Sequence, residues 1–157
     1  MINVLKKKII LILMLLFFKI FNLNNYDEII PNIYIGNIWS SFINYNDFDV
    51  IVNMTKDLGF SPNCKNIHFR IPIDDNYIFK NQDITNYLSI IDKLLELYKN
   101  NKKILIHCRF GIQRSAFFTQ ILIMKILNLT KLESYKLIKS KRKICFLPYH
   151  NFNHISI

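Results

Sequence analysis

The sequence predicts an α/β fold: a central mixed, mostly parallel sheet flanked by helices, with an extra apolar helix at the N-terminus. Three observations carry this expectation. Short apolar runs rich in Ile and Val alternate along the chain with stretches of helical periodicity. Val50-Ile51-Val52 and Ile104-Leu105-Ile106 show no polar alternation, the pattern of strands buried on both faces. The chain has 157 residues, 51% of them hydrophobic and 14% aromatic, which suits one domain with a substantial core and excludes a disordered chain.

The N-terminal segment, residues 1–24, stands apart. Lys6-Lys7-Lys8 precede an apolar run from Ile9 to Phe18, which Lys19 interrupts before Ile20-Phe21. A basic head and an apolar stretch look like a secretory signal, but no small-residue cleavage site follows. The uninterrupted run falls short of the about 20 residues that a span needs. Ile2 to Leu23 would reach that length if Lys19 snorkelled, and the positive-inside bias would then send the rest of the chain across the membrane. Three readings stay open: membrane association through residues 9–23, a helix packed on the domain or on a second subunit, or translation starting at Met14.

The domain proper is assigned to residues 25–157. Ile30 to Asn37 reads as a first strand closed by a turn at Gly36-Asn37, and Trp39 to Tyr45 as a short helix with Trp39 in the core. Asp49 to Met54 is a strand, Thr55 to Cys64 a polar loop, and Asn66 to Ile73 a further strand in which His68 is an ordinary residue. Asp74-Asp75-Asn76 follow. Ile84, Tyr87, Leu88, Ile91, Leu94, Leu95 and Tyr98 recur at helical spacing, so Asp83 to Tyr98 is a helix with one buried face. A strand ends at His107. Ser115 to Leu129 is almost wholly apolar and predicts a buried central helix. Thr130 caps a further helix, Lys131 to Arg142, with Leu132, Tyr135, Leu137 and Ile138 inward.

Charge and cysteine usage narrow the chemistry. The formal net charge is +10, which favours anionic partners such as phosphoproteins, phospholipids or RNA; a general bias towards Lys, Asn and Ile explains it equally well. Cys64, Cys108 and Cys145 are odd in number and lack C-x-x-C spacing, which suits neither a disulfide framework nor a zinc site, and the four histidines do not complete one. No metal or other cofactor is expected. A reactive thiol would need a reducing compartment, which points to the cytoplasm.

The most informative stretch runs from Ile104 to Ser115. Five residues, Arg109, Phe110, Gly111, Ile112 and Gln113, separate Cys108 from Arg114 between a strand and a helix. Such a loop can turn its N–H groups inward around an anion of phosphate size, with Gly111 free to take a positive φ. The helix beginning near Arg114 adds its unpaired N–H groups and its dipole. A thiol held there ionises readily, and the planar fork of Arg114 can grip two phosphate oxygens.

This His-Cys-x-x-x-x-x-Arg-Ser pattern resembles the cysteine-dependent protein phosphatases, most closely the dual-specificity branch of the protein tyrosine phosphatase superfamily. Ile33-Tyr34-Ile35-Gly36-Asn37 is similar to that branch's opening strand, and Pro148 and Phe152 are similar to its Pro-x-x-x-Phe stretch, although Tyr149 replaces the usual Asn. The likeness covers Ile29 to Phe152. It implies a protein tyrosine phosphatase-like fold and a metal-independent hydrolase for phosphoprotein substrates. Cys108 would form a phosphocysteine, with the N–H groups of residues 109–114 and the Arg114 side chain holding the phosphate. The family's acid follows an Ile-Pro-Ile-type strand, which implies Asp75 as general acid, with Asp74 the alternative. Ser115 would hydrogen-bond the sulfur, and His107 is not expected to touch substrate. Two other readings remain: an RNA 5′-triphosphatase of the same superfamily, for which Ile112-Gln113-Arg114-Ser115 is a partial match, and a silent phosphopeptide-binding module.

Overall fold

The computed structural model describes residues 2–74 and 81–146. Helix α1 (Ile2–Ile20) leads into strands β1 (Tyr26–Ile30) and β2 (Ile33–Gly36). Helix α2 (Ile38–Phe42) and a single 3₁₀ turn (Tyr45–Asp47) come next, then β3 (Val50–Thr55), β4 (Ile67–Ile73) and α3 (Asn81–Lys99). Strand β5 (Ile104–His107), α4 (Arg114–Leu127) and α5 (Lys131–Lys141) complete the described elements. The sheet order is β1-β2-β5-β3-β4; β1 is antiparallel to β2 and the remaining pairs are parallel. The mixed, mostly parallel sheet expected from the sequence is present.

Strand β5 sits at the centre because every one of its residues can be buried. Ile104 and Ile106 face α3 and α4 across a core that includes Ile33, Ile35, Val52, Leu94, Phe117 and Ile121. Leu105, one residue out of phase, joins Ile51 and Phe48 on the opposite face, as the two-residue strand period requires. Truncating Ile106 to Ala removes a fully buried side chain and costs about 2–5 kcal/mol. The register aligns Gly36 of β2 and Asn53 of β3 with His107. Three strand ends therefore converge where β5 gives way to the Cys108 loop, the edge at which parallel sheets bind ligands.

Several expectations need correction. The first strand, read as Ile30 to Asn37, is a hairpin of two strands, with Asn32 at φ +66° in the turn and its N–H donating to the Glu28 carboxylate at 3.0 Å. Leu132 and Leu88, expected inward, are exposed. In α5 the capping box between Thr130 and Glu133 fixes the first turn, and Ser134 and Ile138 are the buried residues. Trp39 lies half-buried beneath α1 rather than in the main core.

Helix α1 lies on the domain through one narrow stripe. Met14 and Phe18 are buried against Ile38, with Leu11, Leu23, Trp39, Leu58 and Phe110 around them. Ile9, Leu13, Leu16, Phe17 and Ile20 face outward. Among the described residues no helix is long and apolar enough to cross a membrane. Asp75, Pro148 and Phe152 lie outside the described residues.

Candidate active site

The Cys108–Arg114 loop is shaped by where its carbonyls go. Each buried peptide group needs a partner. The Arg109 carbonyl accepts from the Ile38 N–H at 3.2 Å, and the Gln113 carbonyl from the Phe117 N–H at 2.8 Å. The Gly111 carbonyl accepts from Arg142 Nε at 3.0 Å, and the Ile112 carbonyl from the Phe146 N–H at 2.9 Å. With these oxygens drawn outward, N–H groups are left to face the sulfur. Gly111 donates to Cys108 Sγ at 3.2 Å, and Ser115 Oγ lies 3.3 Å from the same atom.

Two glycines make this closeness feasible. Gly111 has φ +69°, and a Cβ there would fall 2.7 Å from the carbonyl carbon and oxygen of Gly36. A Cβ on Gly36 would fall 2.1 Å from Ser40 Oγ. The two backbones thus touch, and the Gly36 carbonyl accepts from the Cys108 N–H at 3.4 Å. Asn37 anchors this corner: its side chain caps α2 through the N–H groups of Trp39 and Ser40 and also donates to Asn25.

Electrostatics favour the thiolate. Burial pushes the Cys108 thiol up, but the Arg114 charge, the Ser115 hydroxyl and the N–H groups of Ser115 and Ile112 more than offset it, leaving the group below its ordinary value. Arg114 opens α4 and is itself buried; its Nη1 donates to the Ile73 carbonyl at 2.7 Å and the Met54 carbonyl at 3.3 Å. The ends of β3 and β4 thereby fix the guanidinium beside the loop. Gln113, which precedes α4, makes no side-chain cap, and the Ser115 N–H of the helix's first turn reaches the Cys108 sulfur. His107 is fully buried; burial first, with the charges of Arg114 and Arg70 adding to it, holds its pKa down to about 3, so it stays neutral.

The remaining candidates are placed as follows. Arg109 turns its side chain to Asp57, Nη2 to Oδ2 2.7 Å, and so offers the site its backbone. Phe110 and Ile112 are half-buried, Phe110 against the α1 cluster. Asp74 is exposed and its carboxylate pairs with Lys56 at 3.1 Å. The loop after β3 is pinned by Arg70, which donates to the Thr55 and Leu58 carbonyls at 2.9 and 2.7 Å, and by Asn53 Nδ2, 2.9 Å from the Leu58 carbonyl. Among the described residues no group of three or more His, Cys, Asp or Glu could hold a metal ion.

Sequence reasoning missed Arg142. Within Lys139 to Lys143 it reads as a solvated helix end, yet it is 2% exposed, with Nε on the loop and Nη1 on β1. No local pattern could reveal this, because its partners lie 31 and 115 positions away.

Known proteins share the family and the fold of this chain. The profile of the dual specificity phosphatase catalytic domain matches residues 33–156. Protein 123R of Invertebrate iridescent virus 6, named as a tyrosine phosphatase, is 30% identical over 126 residues, covering 76% of this chain and 81% of its own length. Dual specificity protein phosphatase 8 of Mus musculus is 27% identical over 135 residues; the match covers 80% of this chain but 19% of that longer protein. The chain likewise spans 17% of a Candida albicans relative named as a probable tyrosine-protein phosphatase, at 31% identity. In fold, the crystal structure of human DUSP28 superposes with a TM-score of 0.67 at 14% identity, covering 78% of this chain and 84% of that one. From the inward N–H groups around Cys108 to the match over most of its length, the chain belongs to the dual specificity protein phosphatase family.

Proposed function

We propose that this protein is a metal-independent protein phosphatase that hydrolyses phosphotyrosine, phosphoserine and phosphothreonine esters through a phosphocysteine on Cys108. The observation that carries the reading is the set of donors on one sulfur: Gly111 N–H at 3.2 Å and Ser115 Oγ at 3.3 Å, with the Arg114 charge alongside.

The thiolate attacks phosphorus, the S–P bond forms and the ester P–O bond breaks. The loop N–H groups and the Arg114 side chain hold the equatorial oxygens as charge spreads over them. The departing alkoxide or phenoxide takes a proton from Asp75. Water then attacks the phosphocysteine, Asp75 removes its proton and the S–P bond breaks. The Ser115 hydroxyl steadies the sulfur anion as it leaves. The Asp74 carboxylate lies at the surface, 3.1 Å from Lys56 Nζ, and Asp75 is the acid of this reading.

The test is turnover of p-nitrophenyl phosphate in EDTA, followed by a panel of phosphotyrosine and phosphothreonine peptides and triphosphate-ended RNA. Peptide turnover that vanishes in Cys108→Ser is expected. Peptide binding without turnover would identify a silent binding module, and a large preference for RNA would identify a triphosphatase. Asp75→Asn should slow turnover by ~10²-fold and Asp74→Asn much less; the reverse order would move the acid to Asp74.

For α1 we propose membrane association through residues 9–23. Its outward apolar residues, the Lys19 side chain and the absence of acidic residues within it support this reading. Co-sedimentation with phosphatidylserine vesicles, weakened by Ile20→Asp and Leu13→Asp, is the expected result. Binding unaffected by these changes would locate the contact elsewhere.

A further inference from the structure

Arg142 is the least expected residue near the catalytic loop. It lies one position beyond α5, with its guanidinium fully enclosed. Nε donates to the Gly111 carbonyl at 3.0 Å; Nη1 donates to the Asn24 carbonyl at 3.2 Å and to the Asp27 carboxylate. The group also lies over the Phe18 ring, 6.0 Å from its centre. One side chain therefore joins the loop, the start of β1 and the inner face of α1. Four positions on, the Phe146 N–H takes the next loop carbonyl, that of Ile112. Its Nε and Nη1 are engaged while Nη2 has no hydrogen-bond partner, and removing the group takes from Asp27 its cationic partner and from the Gly111 carbonyl its nearest donor.

We propose that Arg142 is a positioning residue: by drawing the Gly111 carbonyl away from the ring it keeps the loop's N–H groups aimed at Cys108, and it takes its own bearing from Asp27 and α1. The loop has two ways to satisfy the peptide that joins Gly111 to Ile112. With the oxygen outward, the neighbouring N–H groups stabilise a thiolate and then a phosphate. With the oxygen inward, a partial negative charge faces the sulfur and opposes both. The fork of Arg142 selects the first, and a lysine cannot replace it, because a single ammonium group does not present coplanar N–H groups to a carbonyl and a carboxylate at once. The N-terminal helix is thus part of the support of the active site as well as an addition to the domain.

This inference rests on the reading of Cys108 as an ionised nucleophile, so the experiment measures that first. In full-length protein, the pH profile of Cys108 alkylation by iodoacetamide is followed by mass spectrometry of its peptide, and loop binding is followed by orthovanadate inhibition. If wild-type Cys108 ionises like a free thiol, the proposed function fails and the positioning role with it. If it ionises early, Arg142→Met and Arg142→Lys should each raise the alkylation midpoint by about one pH unit and weaken vanadate by ~10-fold. Folded variants with wild-type midpoint and inhibition would overturn the role, as would full rescue by lysine. Should neither variant fold, Asp27→Asn decides: a smaller shift in the same direction is expected, and an unchanged profile overturns the proposal.

Discussion

Cys108 and Cys145 are both buried thiols, and both meet Gly111, but from opposite sides. Cys108 receives the Gly111 N–H at 3.2 Å, whereas Cys145 Sγ lies 3.7 Å from the Gly111 carbonyl oxygen. Burial raises the pKa of each. At Cys108 the Arg114 charge and the donors reverse that rise; at Cys145 burial wins over the Arg142 charge and the thiol is pushed up to about 12. Enclosure alone therefore makes an inert thiol, and the Arg114 charge, joined by the Ser115 hydroxyl and the inward peptide N–H groups, turns one towards the thiolate.

The contrast is broken most completely by Cys108→Ser, which should reduce phosphatase turnover by ~10⁴-fold or more, because the weaker nucleophile cannot be ionised by the same donors. Arg114→Ala should follow, with kcat lowered by ~10²–10³-fold and the alkylation midpoint of Cys108 moved up towards that of Cys145. Ser115→Ala removes one hydrogen bond to sulfur, worth about 1–1.5 kcal/mol, so turnover should fall by ~10-fold. If the hydroxyl acts on the leaving sulfur, rapid-quench kinetics will show phosphoenzyme accumulating. The smallest effect belongs to Cys145→Ala, which should leave turnover near wild type. Its trace appears in stability instead. The folded state raises the Cys145 pKa, so it favours the protonated thiol: that contribution is present below the ordinary value of 9.0 and is lost as pH rises towards about 12. Urea midpoints should decline over that window in the wild type and decline less in Cys145→Ala.

How much of this was legible beforehand depended on whether the cause was local. The β5–loop–α4 unit was readable because its strand is wholly apolar and its seven-residue motif is contiguous. Strand β1 was not, because Tyr26-Asp27-Glu28 lies on the sheet edge, with Glu28 exposed, and carries no apolar alternation. Its existence depends on the left-handed Asn32, one of several residues able to turn a chain. The inward phase of α5 misled for a similar reason. Counting apolar residues put Leu132 inside, but Gln120 of α4 donates to Ser134 Oγ and to the Lys131 carbonyl, so a polar contact orients the first turn. The structure sets Ser115 Oγ and the Arg114 charge beside Cys108 within one contiguous motif, whereas Arg142 owes its place to partners distant in sequence.

The meeting of Gly36 with Gly111 has a mechanical consequence. Across that contact the Cys108 amide hydrogen points to the Gly36 oxygen while the Ile38 amide hydrogen points back to the Arg109 oxygen. The β2–β5 ladder thus gains rungs beyond its last paired residues and ties the hairpin to the Cys108 loop. A loop held in this way exchanges little shape with solvent motion. In the proposed reading, fitting phosphorylated side chains of different size would fall to the walls around the loop rather than to its floor.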